Sequence, residues 1–221
     1  MVSEEILKEI NKNMLKTGTS ILGIVCKDGI VMAADRQVTA GDLVVSKNVR
    51  KLVMVNDYVS ISTAGNASDA LLLLKVIRAE LKLKELRTRT RPTIKEAANL
   101  IGMITFGNIR QMSMIPSIVG SLVAGFNEDG ATELFTIEPA GGVYKVEDYD
   151  GNFGSGVPYI LGFLERHWKK DLTVKDGVEL ATEALKSSTQ RDVNSGYGID
   201  VFTITKEGMK QVVEQEIQSV F

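Results

Sequence analysis

Three pairs of apolar runs, each joined by a short turn, constrain this chain more than any other feature. Residues 20–26 and 30–34 flank Lys27-Asp28-Gly29, and residues 117–126 and 131–137 flank Asn127-Glu128-Asp129-Gly130. Residues 199–205 and 209–213 flank Lys206-Glu207-Gly208. A turn that short returns the chain beside the strand it has just left, so each pair is read as an antiparallel hairpin. Further short strands are expected at 43–46, 52–55 and 58–63, with Asn56-Asp57 as a turn, and at about 142–147.

Between these strand sets the apolar spacing becomes helical. Ala70, Leu71, Leu74, Ile77 and Leu81 predict a helix from about 66 to 86. Arg87 to Arg91 reads as a solvated basic connection. Thr93 with Glu96 forms a capping box for a helix whose apolar face is Ile94, Ala97, Ala98, Ile101 and Ile104. A second helix pair follows the glycine-rich loop 151–156. One member starts at Pro158, where proline suits a first turn, and the other is capped by Thr173 with Asp176. Residues 3–15 are loosely helical as well, with Ser3 in the capping position.

The order is thus strands, two helices, strands, two helices, strands. It predicts an α+β fold in which helix pairs cover the outer faces of two stacked, mostly antiparallel sheets, a four-layer αββα sandwich in one domain. A chain of 221 residues is long enough to bury such a core.

Composition narrows the chemistry. A net charge of −2 leaves no basic footprint for nucleic acid or an anionic membrane. No run of 18 apolar residues is present, and Ser3-Glu4-Glu5 is acidic where a secretory signal is basic, so a soluble, cytoplasmic protein is expected. The single cysteine, Cys26, lies in an apolar strand and reads as a core residue. The single histidine, His167, sits among charged neighbours and reads as a surface residue. One cysteine and one histidine cannot build an internal disulfide, a multi-cysteine metal site or a His-rich one, so no metal or cofactor is expected. Any hydrolytic chemistry has to find its base outside a His-based triad.

One junction stands out. In Lys16-Thr17-Gly18-Thr19-Ser20-Ile21-Leu22-Gly23 a polar leader stops and a dense strand begins, with a Gly-Thr bond at the join. Taken alone, Thr19 is a β-former at the start of a strand.

That junction belongs to a longer series. Gly18-Thr19-Ser20-Ile21-Leu22-Gly23 is followed by Val25-Cys26-Lys27-Asp28-Gly29, Ala33-Ala34-Asp35-Arg36 and Ser46-Lys47-Asn48-Val49-Arg50-Lys51. Then come Ser62-Thr63-Ala64-Gly65, Lys75 to Leu86, Gly154-Ser155-Gly156, Arg191-Asp192-Val193-Asn194-Ser195-Gly196 and Gly198-Ile199-Asp200-Val201. In this order and at these spacings, from about 18 to 213, they resemble the catalytic β subunits of archaeal 20S proteasomes, threonine proteases with an N-terminal nucleophile.

The resemblance implies that residues 1–18 are a leader removed by the chain itself, leaving one domain from Thr19 to Phe221. Thr19 is then nucleophile and N-terminus at once. Lys51 lies beside it, Asp35 holds Lys51 by an ion pair, and the Gly65 N–H stands in the oxyanion hole, where one donor is worth roughly 3–4 kcal/mol. Ser155, Asp192 and Ser195 surround the new amine. Val38, Val49, Val53, Thr63 and Ala67 line a small apolar pocket for the residue before the cut. Without the resemblance, Asp35 is the end of a strand, Lys51 a solvated charge, and Gly65 a turn glycine.

The chemistry of such a site is consistent with this composition. A threonine hydroxyl needs a base. Cutting Gly18–Thr19 frees an α-amine with a reference pKa of roughly 7.7–8.0, near working pH. Until then the nitrogen is an amide and cannot serve. Three departures from the family pattern stand out: Thr19-Ser20-Ile21 where Thr-Thr-Thr is frequent, Gln37 where arginine is common, and Thr63 where an apolar residue is common. The partners implied are α-subunit rings, other β subunits in a heptameric ring, an ATP-dependent unfoldase and unfolded polypeptide substrates. Two alternatives remain open at this point: a non-catalytic or conditionally processed structural β subunit that needs a partner β subunit, and a related amidase acting on small molecules.

Overall fold

The computed structural model describes residues 18–113 and 115–216, so the helical reading of 3–15 and most of the leader lie outside it. In chain order the first strands are β1 (Ile21–Cys26), β2 (Gly29–Asp35), β3 (Val38–Ala40), β4 (Leu43–Ser46), β5 (Leu52–Met54) and β6 (Val59–Gly65). Helices α1 (Ala67–Thr88) and α2 (Ile94–Ile109) follow, then β7 (Val119–Phe126), β8 (Thr132–Ile137), β9 (Val143–Val146) and β10 (Tyr149–Asp150). Helices α3 (Val157–His167) and α4 (Val174–Thr189) precede the last pair, β11 (Gly198–Thr205) and β12 (Gly208–Glu216).

The strands form one five-stranded sheet in the order β10-β1-β2-β11-β12 and another in the order β5-β6-β7-β8-β9, with β3 and β4 as a separate ribbon. The recorded pairings are all antiparallel. Side-chain alternation makes the layers. Ile21, Ile30, Met32 and Ala34 point from the first sheet onto Leu52, Leu122, Ala124 and Leu134 of the second. Their neighbours Leu22, Ile24, Val31 and Ala33 point outward onto Ile160, Leu164, Ala181 and Leu185 of α3 and α4. Val59, Ile61, Val123 and Phe135 meet Leu73, Ile77, Leu81, Ile94 and Ile101 of α1 and α2 on the other outer face. The result is the αββα sandwich. Each fully buried Ile or Leu contributes about 1.5–3 kcal/mol by leaving water.

Both capping boxes form, Thr93 with Glu96 and Thr173 with Asp176. Two strands escape sequence reading, β3 and β10, because three and two residues carry no period. The basic connection is solvated only in part: the Arg91 guanidinium lies 3.8 Å from the Tyr58 ring centroid and 4.6 Å from that of Phe126.

Next to Asp35, Arg36 is buried and binds Asp200 of β11 through Nε and Nη2. Nη2 also reaches Glu214 of β12 at 3.0 Å, and Nη1 reaches Asn48 at 3.0 Å. A buried guanidinium has to be satisfied this way, since its charge cannot be neutralised at any ordinary pH.

The β1–β2 register sets Ile21 opposite Ala34, and β2–β11 sets Asp35 opposite Ile199. The start of β1, the end of β2 and the loop before β11 therefore meet at one end of the sandwich. The Asp35 N–H donates to Ser20 O at 3.0 Å there. No described helix is long and apolar enough to cross a membrane.

Candidate active site

Asp35 ends β2 wholly buried. Its Oδ1 accepts the Ser20 N–H at 2.8 Å and the Lys51 ammonium at 2.7 Å. Its Oδ2 accepts the Gln37 N–H at 3.0 Å and the Gly196 N–H at 3.1 Å. Every partner is a donor, so only the acceptor-only, ionised carboxylate satisfies all of them. Burial pushes the Asp35 carboxyl upward; Lys51 and the amide donors oppose that shift.

Lys51 is itself buried, one residue before β5. Burial lowers its pKa below the ordinary lysine range, against the pull of Asp35. Asp35 also divides its charge among three backbone N–H groups, which weakens that pull. Besides Asp35, the Lys51 Nζ faces Gly18 O at 3.4 Å. The Thr19 hydroxyl donates to the same carbonyl oxygen at 2.6 Å. The side chain of Thr19 thus lies against the peptide group that precedes it.

The other flank is a chain of hydroxyls. The Thr19 N–H donates to Ser155 Oγ at 3.3 Å. Ser155 Oγ and Ser195 Oγ each donate to Asp192 Oδ2 at 2.5 Å. Ser195 Oγ also meets Ser20 Oγ at 2.8 Å, and Ser20 Oγ contacts Ser188 Oγ of α4. Asp192 Oδ1 takes the Asn194 N–H at 3.1 Å.

Glycines let these segments close up. Gly65 ends β6 at φ +116, and a Cβ there would lie 2.1 Å from Ile118 O. A Cβ on Gly154 would lie 2.3 Å from Thr19 O and 3.8 Å from Ala64 Cβ, which sets the 154–156 loop between Thr19 and the Ala64-Gly65 turn. The Gly156 N–H donates to Thr19 O at 3.3 Å.

Thr19, Asp35, Lys51, Ser155, Asp192 and Ser195 thus share one hydrogen-bonded cluster with Gly18, and Gly65 follows Ala64, the residue that Gly154 approaches. The residues expected to line a pocket are more spread. Val38 opens β3, and the Val49 N–H donates to Arg36 O at 3.0 Å. Val53 on β5 packs beside the core under α1, buried Thr63 lies on the neighbouring β6, and Ala67 is the first residue of α1. The Thr63 N–H donates to Lys51 O at 3.0 Å, tying that strand to the lysine.

Several residues packed around the cluster were not singled out as site residues from sequence: Ser188, Thr39 and Asn194, together with Gln37, whose Nε2 donates to Val193 O at 2.7 Å. No local pattern marks them, because each meets its partner across most of the chain. His167 is exposed, far along α3, with Nδ1 2.8 Å from Phe163 O and its ring stacked on Phe163. Cys26 is buried; burial first, then Asp28 and Asp176, pushes its thiol up to about 12, so it is no nucleophile.

A hydroxyl pressed against a peptide carbonyl, a buried lysine on that same oxygen and an absence of imidazole suit acyl transfer to threonine. Comparison with known proteins gives the family. A family model described as proteasome subunit matches residues 15–204. The chain is similar to a proteasome subunit beta of Methanopyrus kandleri, 34% identical over 215 residues, covering 97% of this chain and 99% of that one. It is similar to the one of Nanoarchaeum equitans, 36% identical with 88% and 96% covered, and to proteasome subunit beta 1 of Thermococcus onnurineus, 37% identical with 92% and 96% covered.

Proposed function

The chain belongs to the proteasome subunit family as a β-type subunit, and from that premise we propose that it is a threonine endopeptidase that frees its own nucleophile by cutting Gly18–Thr19. The observation that carries this is the Thr19 hydroxyl 2.6 Å from Gly18 O, with Lys51 Nζ 3.4 Å from the same oxygen.

In the first reaction Thr19 Oγ adds to the Gly18 carbonyl carbon. The hydroxyl proton passes to the Thr19 nitrogen, the carbon–nitrogen bond breaks, and an ester links Gly18 to Thr19 Oγ. Water hydrolyses that ester. The products are residues 1–18 with a terminal carboxylate and a chain beginning at Thr19 with a free hydroxyl and amine. In the second reaction the amine takes the Thr19 hydroxyl proton as Oγ attacks a substrate carbonyl, then returns it to the leaving amine, which leaves the acyl part of the substrate as an ester on Oγ. Water, giving a proton to the same amine, hydrolyses that ester, releases a carboxylate product and restores the Thr19 hydroxyl. Lys51, oriented by Asp35, favours the deprotonated alcohol through its charge. Ser155, Ser195 and Asp192 hold the amine. The Gly65 N–H receives the developing oxyanion. Val38, Val49, Val53, Thr63 and Ala67 select apolar residues before the cut.

The natural setting is a cytoplasmic barrel of two heptameric β rings between α rings, fed with unfolded chains by an ATP-dependent unfoldase. The test is intact-mass analysis of the chain alone and mixed with its α subunit, followed by peptide hydrolysis. Loss of residues 1–18, and activity abolished in Thr19→Ala with assembly intact, is the expected result. A wild-type chain that keeps residues 1–18 under every condition overturns it in favour of a structural subunit, and an active Thr19→Ala overturns Thr19 as the nucleophile.

A further inference from the structure

The residue before the bond is held as closely as the residue after it. Gly18 is buried, and its N–H donates to Thr39 Oγ1 at 3.3 Å. The Thr39 hydroxyl, also buried, donates onward to Asn194 Oδ1 at 3.1 Å. The Asn194 N–H ends on Asp192 Oδ1 at 3.1 Å. From the next residue a parallel relay runs from the Thr19 N–H through Ser155 Oγ to Asp192 Oδ2. Both amides flanking the carbonyl under attack therefore report to one carboxylate, by separate oxygens. A third contact closes the frame: a Cβ at position 18 would stand 1.8 Å from Asn194 Cβ and 2.6 Å from Ser155 Oγ.

We propose that Thr39 and Asn194 are positioning residues for self-cleavage: they clamp Gly18 so that its carbonyl carbon faces Thr19 Oγ, and their side chains have no part in later peptide hydrolysis. This rests on the proposed cut at Gly18–Thr19. Free rotation about Gly18 would let its carbonyl swing away from Thr19 Oγ and Lys51, since glycine has no side chain to restrain it. The relay supplies that restraint from outside the residue. Reactivity between neighbouring groups depends steeply on such alignment, about 100-fold for an ångström of misplacement. Once residues 1–18 leave, Gly18 leaves the clamp with them, whereas Ser155 stays beside the new amine.

The experiment compares cleavage with turnover. Full-length Thr39→Val, Thr39→Ser and Asn194→Ala are mixed with the α subunit, and loss of residues 1–18 is followed by intact mass over time. The same substitutions are placed in a chain produced with Thr19 already as its first residue, and kcat and KM are measured on a fluorogenic peptide. Self-cleavage about 10- to 100-fold slower in Thr39→Val and Asn194→Ala is expected, with near-normal cleavage in Thr39→Ser, which keeps the hydroxyl. Peptide hydrolysis by the pre-opened chains should stay within about twofold of the unsubstituted one. Cleavage at the wild-type rate in Thr39→Val and Asn194→Ala overturns the clamp. So does an equal loss of turnover in the pre-opened variants, which means a general structural role. A wild-type control that never loses residues 1–18 refutes the underlying cut instead.

Discussion

The Asp35–Lys51 pair makes an asymmetric prediction. Asp35→Asn exchanges one acceptor oxygen for an amide donor. Whichever way the amide turns, one donor pair loses its acceptor: Ser20 N–H with Lys51, or Gln37 N–H with Gly196 N–H. Lys51 is left buried without its counter-charge. Removing one partner of such a pair costs about 3–5 kcal/mol. Lys51→Met behaves differently, because the carboxylate keeps three backbone N–H donors and the methionine fills most of the volume. The loss is then closer to one charged hydrogen bond, about 1–3 kcal/mol. Urea unfolding of the isolated chain measures both, in a Thr19→Ala background so that residues 1–18 stay attached in every sample. Asp35→Asn should lower the midpoint more than Lys51→Met at a similar slope. In a thermal scan the deficit for Asp35→Asn corresponds to about 6–20 °C for a chain of this size. Equal midpoints, or a larger loss for Lys51→Met, would refute the view that Asp35 is the hub and Lys51 one of its spokes.

Two further outcomes follow from the same geometry. Gly18→Ala should leave residues 1–18 attached, because the new methyl collides with the fixed Cβ of Asn194; intact mass reads this directly, and normal removal of the leader would contradict the packing. The pH dependence of peptide hydrolysis should be bell-shaped. Rate rises as the Thr19 amine loses its proton near its reference value of about 7.7–8.0. It falls again as Lys51 loses its own, and burial moves that step to lower pH than the ordinary lysine value of about 10.4. A rate still climbing beyond the ordinary lysine range would exclude Lys51 as the required charge.

Much of the fold was legible because hairpins and capping boxes are local. The Lys27-Asp28-Gly29 turn, the Thr93 and Thr173 caps and the alternation of Ile21 with Leu22 are written within a few residues. The short strands β3 and β10 were not legible, since the partners that define them lie elsewhere. At the site, Thr19, Asp35 and Lys51 are legible only through the resemblance, because the contacts that join Lys51 to Gly18 and Asp35 link separate segments of the fold. Thr39, Asn194 and Ser188 escaped, because a threonine in a ribbon and an asparagine in a loop acquire meaning only when the fold brings them to Gly18 and Ser20. The basic connection before α2 departs from a solvated loop at Arg91 for a related reason: the rings that receive its guanidinium are Tyr58, just before β6, and Phe126, at the end of β7.

The placement of the Arg36 network has a consequence for the order of synthesis. A ribosome delivers Thr19, Asp35 and Lys51 early, but Asp192, Ser195 and Gly196, and the Asp200 and Glu214 that anchor Arg36, emerge close to the end. On the proposed reading, a nascent chain carries Thr19 long before it carries the groups that align it. Chain order itself acts as a timer, and a chain ending before Asp192 should keep residues 1–18 however long it is incubated. On that reading, self-cleavage waits until β12 is in place.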